Sequence, residues 1–193
     1  MKIVFATHNQ NKIKEVKLLL SNNIKILSLN DINCNELINE TGNSLVENAW
    51  IKSNYVKTKY GYDCFSDDTG LEIESLGGEP GVKSARYSGI YSTDKKNIDL
   101  VLKLMKNKTN RNAQFRTCIA LIINDNKELF EGIVKGKIIH QRKGKNGFGY
   151  DSIFIPNGLK KTFAEMDLSE KNKISHRGIA LKKLSNYFHN SNY

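Results

Sequence analysis

The chain has 193 residues, enough for a sizeable hydrophobic core, and we expect a single domain over residues 1–193. Hydrophobic residues make up 39% and charged residues 26%, and no apolar run approaches the roughly twenty residues of a membrane span. The opening MKIVFATHN turns polar too soon for a signal peptide, so we expect a cytoplasmic protein without a membrane partner.

The net charge of +10 has three possible explanations. It can mark a nucleic-acid surface, a cationic site that attracts an anionic nucleotide, or a composition rich in Lys, Asn and Ile. No block of Lys and Arg stands apart, and no aromatic stripe is interleaved with basic residues. We therefore favour composition together with a phosphate site, and we expect no nucleic-acid partner.

The chain opens with a strand, a helix and a second strand. Lys2 to Ala6 is apolar enough for a buried strand, and the apolar spacing of Asn11 to Leu20 predicts an amphipathic helix. Ile24 to Leu29 predicts the second strand. A β-loop-α-β opening of this kind favours a parallel pair of strands.

A polar loop over residues 31–43 leads to the second helix. Ser44 and Glu47 match a capping box, which predicts a helix that runs to about Tyr60. Tyr62 to Ser66 then predicts a strand that ends at two acids, and Leu71 to Ser75 resumes extended structure.

The rest of the chain mixes helices with an antiparallel hairpin. The predicted elements are a helix over Thr93–Lys106, a hairpin of Ala113–Ile123 and Glu128–Ile139, a strand over Ser152–Ile155 and a closing helix over Ser175–Phe188. The pattern as a whole predicts an α/β fold with antiparallel additions.

The turn from Thr7 to Lys12 is a candidate phosphate site. A turn between a strand and a helix presents free backbone amides and the positive end of the helix to an anion. Thr7 and Asn9 can donate to phosphate oxygens, and Lys12 adds charge. The turn lacks the glycines of a Walker loop. The alternative is a polar connection in which Asn9 or Asn11 caps the helix.

Asp67 and Asp68 are a candidate acidic centre. Adjacent carboxylates at a strand end are costly unless donors, water or a cation satisfy them. Neighbouring residues on a strand point to opposite faces, so one acid is expected to face the site. That acid can hold Mg²⁺ or accept a proton from water. The alternative is a turn in which both acids accept the amides of Thr69 and Gly70.

A third candidate group lies around the start of the second helix. Asn48 and Lys52 are four residues apart and share a helix face, and Glu40 lies in the loop ahead of them. Glu47 has an ordinary role as the capping acid, and Lys52 can equally be a solvated helix lysine.

The stretch from Gly144 to Asp151 is the most unusual in composition. Its three glycines leave the backbone free, and Phe148 or Tyr150 can stack on a base. The alternative is a loop whose aromatic side chains fold onto the core.

A basic segment, KNKISHR, brings Lys171, Lys173, His176 and Arg177 to the start of the closing helix. Lys171 and Arg177 are pure donors that suit carbonyl and phosphate oxygens. Positive charge at a helix start is unfavourable without an anion, which favours a functional role over a solvated helix start.

Together these stretches resemble the inosine triphosphate pyrophosphatase family. The matching motifs, in family order, are ATHNQNK, ETGNSLVENAWIKS, SDDTGLEIESLGGEPGVKSARYSG, GFGYDSIF and FAEMDLSEKNKISHR. The resemblance implies an elongated α/β fold with a central mixed sheet flanked by helices, two lobes and an active-site cleft between them. It also implies a homodimer that hydrolyses ITP, dITP and XTP to the monophosphate and pyrophosphate with Mg²⁺.

The resemblance also implies a role for each matching residue. Glu40 and Asp68 would hold Mg²⁺, and Asp68 would be the catalytic proton acceptor. The residues implied for the triphosphate are Thr7, His8, Asn9, Gln10, Asn11, Lys12, Lys52 and Thr69. Those implied for the base are Phe148, Gly149, Tyr150, Asp151, Lys171, His176 and Arg177.

Three positions depart from the family pattern. His8 stands where Gly is usual, which can alter the backbone of the phosphate turn, and Ser152 stands where Pro is common. Thr69 replaces a frequent Ser and keeps the hydroxyl.

Two rival functions remain open. One is a nucleotide pyrophosphatase with another base choice, such as a pyrimidine or a methylated nucleotide, which the residues of the KNKISHR segment would distinguish. The other is a basic nucleic-acid-binding module, which would bind polynucleotides in a salt-sensitive way without turnover.

Overall fold

Within residues 1–20 and 24–191, which the computed structural model describes, the chain forms six strands and five α-helices. The strands are β1 (Lys2–Phe5), β2 (Lys25–Ser28), β3 (Cys64–Ile73), β4 (Asn112–Ile123), β5 (Asn126–Ile138) and β6 (Phe154–Pro156). The helices are α1 (Gln10–Leu19), α2 (Leu45–Tyr60), α3 (Asp94–Leu104), α4 (Leu168–Ile174) and α5 (His176–Asn190). None of the helices in these residues is long and apolar enough to cross a membrane.

The strands form one mixed sheet in the order β2-β1-β3-β4-β5-β6. Strand β1 pairs in parallel with both β2 and β3, and β5 pairs with β6 in antiparallel fashion. The predicted α/β class and the parallel opening are therefore confirmed.

The predicted helix cap and hairpin turn are also confirmed. The Ser44 hydroxyl accepts the amide of Glu47, while the Glu47 carboxylate accepts the amide of Asn43 instead of that of Ser44. Strands β4 and β5 are joined by Asn124 and Asp125 with φ of 46° and 65°, the left-handed backbone of a tight hairpin turn.

The predicted break after Ser66 is wrong, because β3 runs without interruption from Cys64 to Ile73. Asp67 and Asp68 therefore lie inside a strand and not at its end or in a turn. A strand tolerates buried acids when other side chains compensate their charge, and both acids have basic or amide partners here.

The closing segment also differs from the prediction. Residues 168–174 form the separate helix α4, capped by Asp167, whose carboxylate accepts the amide of Glu170. Ser175 is extended, and α5 begins at His176. Lys171 and Arg177 thus belong to different helices, because the extended backbone of Ser175 interrupts the helix between them.

The chain divides into two compact units. Unit 1 comprises Met1–Asp68, Thr117–Gly132 and Arg177–Tyr193, and unit 2 comprises Thr69–Arg116 and Ile133–His176. The single domain, the elongated shape and the cleft between lobes stay predictions.

Each unit has a hydrophobic core of its own. In unit 1, Phe5 of β1 stacks on Phe65 of β3 with ring centroids 4.7 Å apart, and helices α1 and α5 cover this pair. In unit 2, Phe115 packs against Phe154 with centroids 4.8 Å apart, and α3 contributes Ile98 and Val101 to the same core. These cores hold β3, which carries Asp67, Asp68 and Thr69, and the helices that carry Lys12, Lys52, Lys171 and Arg177.

The loop that carries Glu40 is fastened to α2 through Glu36. The Glu36 carboxylate accepts the hydroxyls of Tyr55 at 2.5 Å and Tyr60 at 2.9 Å, and it also pairs with the Lys59 ammonium. The bonds from Lys59 and Tyr55 lower the pKa of Glu36 from 4.5 to about 2.

We predict that Glu36→Gln lowers the stability of the protein near neutral pH. The folded pKa lies below the unfolded value, so the stabilisation is present above pH 4.5 and is lost as the pH falls towards about 2. Thermal unfolding at several pH values, with Glu128→Gln of β5 as an exposed-acid control, measures this. A stability difference from the wild-type protein that does not shrink below pH 4.5 would contradict the prediction.

Candidate active site

The turn between β1 and α1 is capped by its own side chains. The Asn9 side-chain oxygen accepts the amides of Asn11 at 2.9 Å and Lys12 at 3.3 Å, and the Thr7 hydroxyl accepts the amide of Asn9 at 3.2 Å. The expectation of free amides is therefore wrong for these three residues, and Asn9 is the helix cap. Gln10 and Asn11 are exposed at this helix start, where the positive end of α1 still favours an anion.

His8 ties this turn to the neighbouring loops. Its Nδ1 lies 3.3 Å from the Asn30 side-chain oxygen, and its Nε2 lies 3.1 Å from the Glu36 carbonyl oxygen. The imidazole thus links the β1–α1 turn to the loop that carries Glu40, a contact that glycine cannot make.

Asp67 lies at the centre of a buried network of charges. It is 1% exposed, and its two carboxylate oxygens contact Lys12 Nζ at 2.8 Å and Arg177 Nε at 3.0 Å. Arg177, itself 2% exposed, also donates to Glu15 Oε2 at 2.5 Å. The network joins α1, β3 and α5 within unit 1.

The network shifts the pKa of its members. Burial acts to raise the pKa of Asp67, but the opposing charges of Lys12 and Arg177 outweigh it and hold that pKa below its usual range. Burial lowers the pKa of Lys12. Burial also acts to lower the pKa of Arg177, but the two carboxylates outweigh it and raise that pKa. Asp67 and Arg177 therefore stay charged.

Asp68 has a different set of neighbours from Asp67. Its Oδ2 accepts the Asn48 amide at 3.2 Å, and its Oδ1 lies 3.8 Å from Lys52 Nζ. The same ammonium lies 2.9 Å from Glu40 Oε2. Burial raises the pKa of Asp68, and the negative charges of Glu40 and Asp67 add to that effect against the lysines. The helix-face prediction for Asn48 and Lys52 is confirmed, because both reach Asp68.

The Glu40 and Asp68 carboxylates suit a divalent cation. Both approach the single positive charge of Lys52, so two hard oxygen donors already converge on one point. Mg²⁺ is usually bound by one or two carboxylates together with waters and substrate phosphates. Two carboxylates fit a cation of this kind. No group of three or more His, Cys, Asp or Glu that could hold a metal ion occurs among the described residues.

In unit 2, Lys171 and Phe148 surround the Asp151 carboxylate. Asp151 Oδ2 accepts Lys171 Nζ at 2.6 Å and the Phe148 amide at 2.9 Å. The Lys171 ammonium lies 4.8 Å from the centroid of the Phe148 ring. Lys171 and Asp151 are both buried, whereas Phe148 is partly exposed.

Tyr150 and His176 lie in the core of unit 2. Tyr150 is 4% exposed and its hydroxyl donates to the Ser84 carbonyl oxygen at 2.8 Å. His176 stacks on Phe115 with centroids 4.5 Å apart. The alternative in which Tyr150 folds onto the core is confirmed, and a direct role of either residue at the base stays a prediction without support from this packing.

The candidate residues thus form two groups. Unit 1 brings together Lys12, Glu40, Lys52 and Asp68 with the buried pair of Asp67 and Arg177, while unit 2 brings together Phe148, Gly149, Asp151 and Lys171. Thr69, the half-buried neighbour of Asp68, begins unit 2. Glu15 is a member of the network that the sequence motifs did not indicate, although its position three residues after Lys12 places both on one side of α1.

Comparison with known proteins gives consistent matches over nearly the whole chain. The model of the Ham1 family matches residues 3–187. A dITP/XTP pyrophosphatase of Christiangramia forsetii is 56% identical over 97% of this chain and 98% of its own length. One from Flavobacterium psychrophilum is 54% identical over 98% of this chain and 100% of its own length. The solved Ham1 protein of Coxiella burnetii is 38% identical with a TM-score of 0.91, covering 98% and 99% of the two chains.

We predict that Arg177→Ala destabilises the protein by about 3–5 kcal/mol, because it leaves the buried Asp67 and Glu15 carboxylates without their guanidinium. Arg142→Ala is the matched control, since Arg142 makes an exposed bridge to Asp99 at 2.7 Å worth about 0–1 kcal/mol. Urea unfolding measures both. A loss for Arg177→Ala no larger than that of the control would show that the network does not stabilise the fold.

Proposed function

This chain belongs to the Ham1 family, and on that premise we propose that it hydrolyses ITP, dITP and XTP to the nucleoside monophosphate and pyrophosphate. The observation that carries the proposal is the cluster in which Glu40 and Asp68 converge on Lys52, with Lys12 close enough for Lys52 to lower its pKa further. Carboxylates beside lysines suit phosphoanhydride hydrolysis, because carboxylates can bind a divalent cation or accept a proton from water and lysines can offset charge on phosphate oxygens. Relatives named dITP/XTP pyrophosphatase, at 43–56% identity, favour these substrates over a pyrimidine or a polynucleotide.

The proposed reaction is attack of water on the α phosphorus. Asp68 accepts a proton from the water as the water oxygen bonds to the α phosphorus. The bond between the α phosphorus and the oxygen that bridges the α and β phosphates breaks. The electrons of that bond leave with pyrophosphate. Lys12 and Lys52 donate to phosphate oxygens and offset the charge that develops on the leaving group.

Glu40 and Asp68 are the residues that would hold Mg²⁺, which when bound supplies further charge neutralisation at the phosphate oxygens. Lys52 keeps the two carboxylates directed at a common point, and Asn48 orients Asp68 through its second oxygen. Thr7, Asn9 and the other residues of the β1–α1 turn contact the remaining phosphate oxygens. Thr69 donates its hydroxyl to phosphate.

The base is recognised by unit 2 residues in this proposal. A base that contacts the Phe148 ring lies within reach of the Lys171 ammonium, since that ammonium is 4.8 Å from the centroid of the ring. Lys171 offers only donors, so it satisfies the 6-oxo group of hypoxanthine and xanthine but opposes the amino group of adenine. Guanine keeps the 6-oxo group, so it is rejected through its 2-amino group. A homodimer in the cytoplasm, which the family resemblance implies, completes the proposal.

We predict that Asp68→Asn keeps the fold and lowers kcat on the order of a thousandfold, because the amide removes the proton acceptor and a metal-binding charge. Pyrophosphate release from ITP with Mg²⁺ measures this. Asp63→Asn is the matched control, since Asp63 lies just ahead of the same strand and pairs with Lys57 at 2.9 Å. Activity of Asp68→Asn close to that of the control would refute the assignment.

We also predict that kcat/KM for ITP and XTP exceeds that for GTP, with ATP lower by about 10⁴ because the adenine amino group cannot accept the hydrogen bonds that Lys171 donates. Lys171→Gln should reduce kcat/KM for ITP more than for ATP, and so compress their ratio. Lys173→Gln, an exposed lysine of the same helix, is the control. Equal loss for both nucleotides in Lys171→Gln would mean that Lys171 does not select the base.

A further inference from the structure

The segment over residues 144–151 is an irregular loop whose first part is anchored by backbone contacts. The amides of Lys145 and Asn146 both donate to the Ala164 carbonyl oxygen at 3.0 Å, and the Asn146 side chain donates to the Met166 carbonyl oxygen at 2.9 Å. These bonds fix where the loop begins, before it reaches Phe148.

The arc from Gly147 to Gly149 depends on two further anchors. Gly147 and Gly149 have φ of 74° and 59°, and a Cβ on Gly147 would collide with the Asp151 carboxylate. The Phe148 amide between them donates to that same carboxylate at 2.9 Å. One peptide later, the amide of Gly149 donates to Oδ2 of Asp94 at 2.7 Å.

Asp94 is the first residue of α3, and it lies 55 positions before Gly149 in the chain. Gly149 has no side chain, so another element can hold it only through its backbone, and here its amide makes that bond. With both the Phe148 and Gly149 amides anchored, the backbone on either side of the Phe148 side chain is fixed. Without Asp94, the Gly149 amide loses this partner, and the bond from the Phe148 amide to Asp151 is left to restrain a backbone flanked by two glycines.

We propose that Asp94 is a positioning residue that holds the Phe148 ring in the orientation that accepts the purine base. The proposal rests on the proposed function, in which the ring contacts the base. Asp94 would act through the Gly149 amide and would not touch the substrate. A freed loop must be ordered again when the base binds, so binding weakens while the phosphate chemistry of unit 1 is unchanged.

The test is a comparison of Asp94→Ala with Asp94→Asn and with Asp99→Ala. Asp94→Ala should raise KM for ITP about three- to tenfold, the loss of about one hydrogen bond, with kcat within about twofold. Asp94→Asn keeps an acceptor oxygen and should restore most of the affinity. Asp99→Ala removes another acid of α3. Asp99 binds Arg142, which lies outside the loop of residues 144–151, so this change should leave KM unchanged.

Two further measurements separate positioning from general destabilisation. Inhibition by inorganic tripolyphosphate, which has no base, should be the same in Asp94→Ala and the wild-type protein. Native trypsin cleavage after Lys145, located by mass spectrometry, should be faster in Asp94→Ala than in the wild-type protein or Asp99→Ala.

The outcomes also distinguish this proposal from the proposed function. An unchanged KM for ITP in Asp94→Ala, or an equal weakening of tripolyphosphate inhibition, would overturn the positioning role while wild-type turnover of ITP stands. A wild-type protein without ITP turnover would defeat the proposed function. The cleavage rate after Lys145 would then decide whether Asp94 anchors the loop, and a rate unchanged in Asp94→Ala would overturn that anchor.

Discussion

The buried pairing of Asp67 with Lys12 and Arg177 is the constraint on which the catalytic half of the proposal depends. A carboxylate that is 1% exposed is tolerated only with compensating charge. Because α1 and α5 supply that charge, β3 continues through its two acids. The alternation of the strand then gives Asp68 a separate set of neighbours, Asn48 and Lys52 of α2.

The two adjacent acids consequently differ in their electrostatic state. Opposing charges hold the pKa of Asp67 below its usual range despite burial, so it serves as a permanent counter-charge. Asp68 is partly buried with weaker compensation, and its pKa is raised. Neighbouring carboxylates whose surroundings shift their pKa values in opposite directions are typical of sites where one acid has a structural role and the other takes part in the chemistry. Glu40 belongs to the surroundings of Asp68, because both carboxylates contact Lys52.

In unit 2 the aromatic ring of Phe148 projects from an irregular loop. The loop has little regular structure, so amide bonds to Asp151 and Asp94 replace the ladder of a strand or helix. The Lys171 ammonium is held against the Phe148 ring by the same Asp151 carboxylate. The Asp151 carboxylate thereby binds both the loop backbone and the lysine that is proposed to select the base.

The sequence by itself determined the features that depend on neighbours along the chain. The Ser44 cap, the left-handed turn at Asn124 and Asp125, and the parallel opening follow from short-range hydrogen bonds and apolar periodicity, and the ordered motifs identified the family. The tertiary structure decided the pairings between distant residues. Arg177 and Asp67 are 110 positions apart, and Gly149 and Asp94 are 55 apart. The reason is physical, because a charge or an amide is satisfied by whichever partner the fold brings near, and local propensity carries no information about that partner.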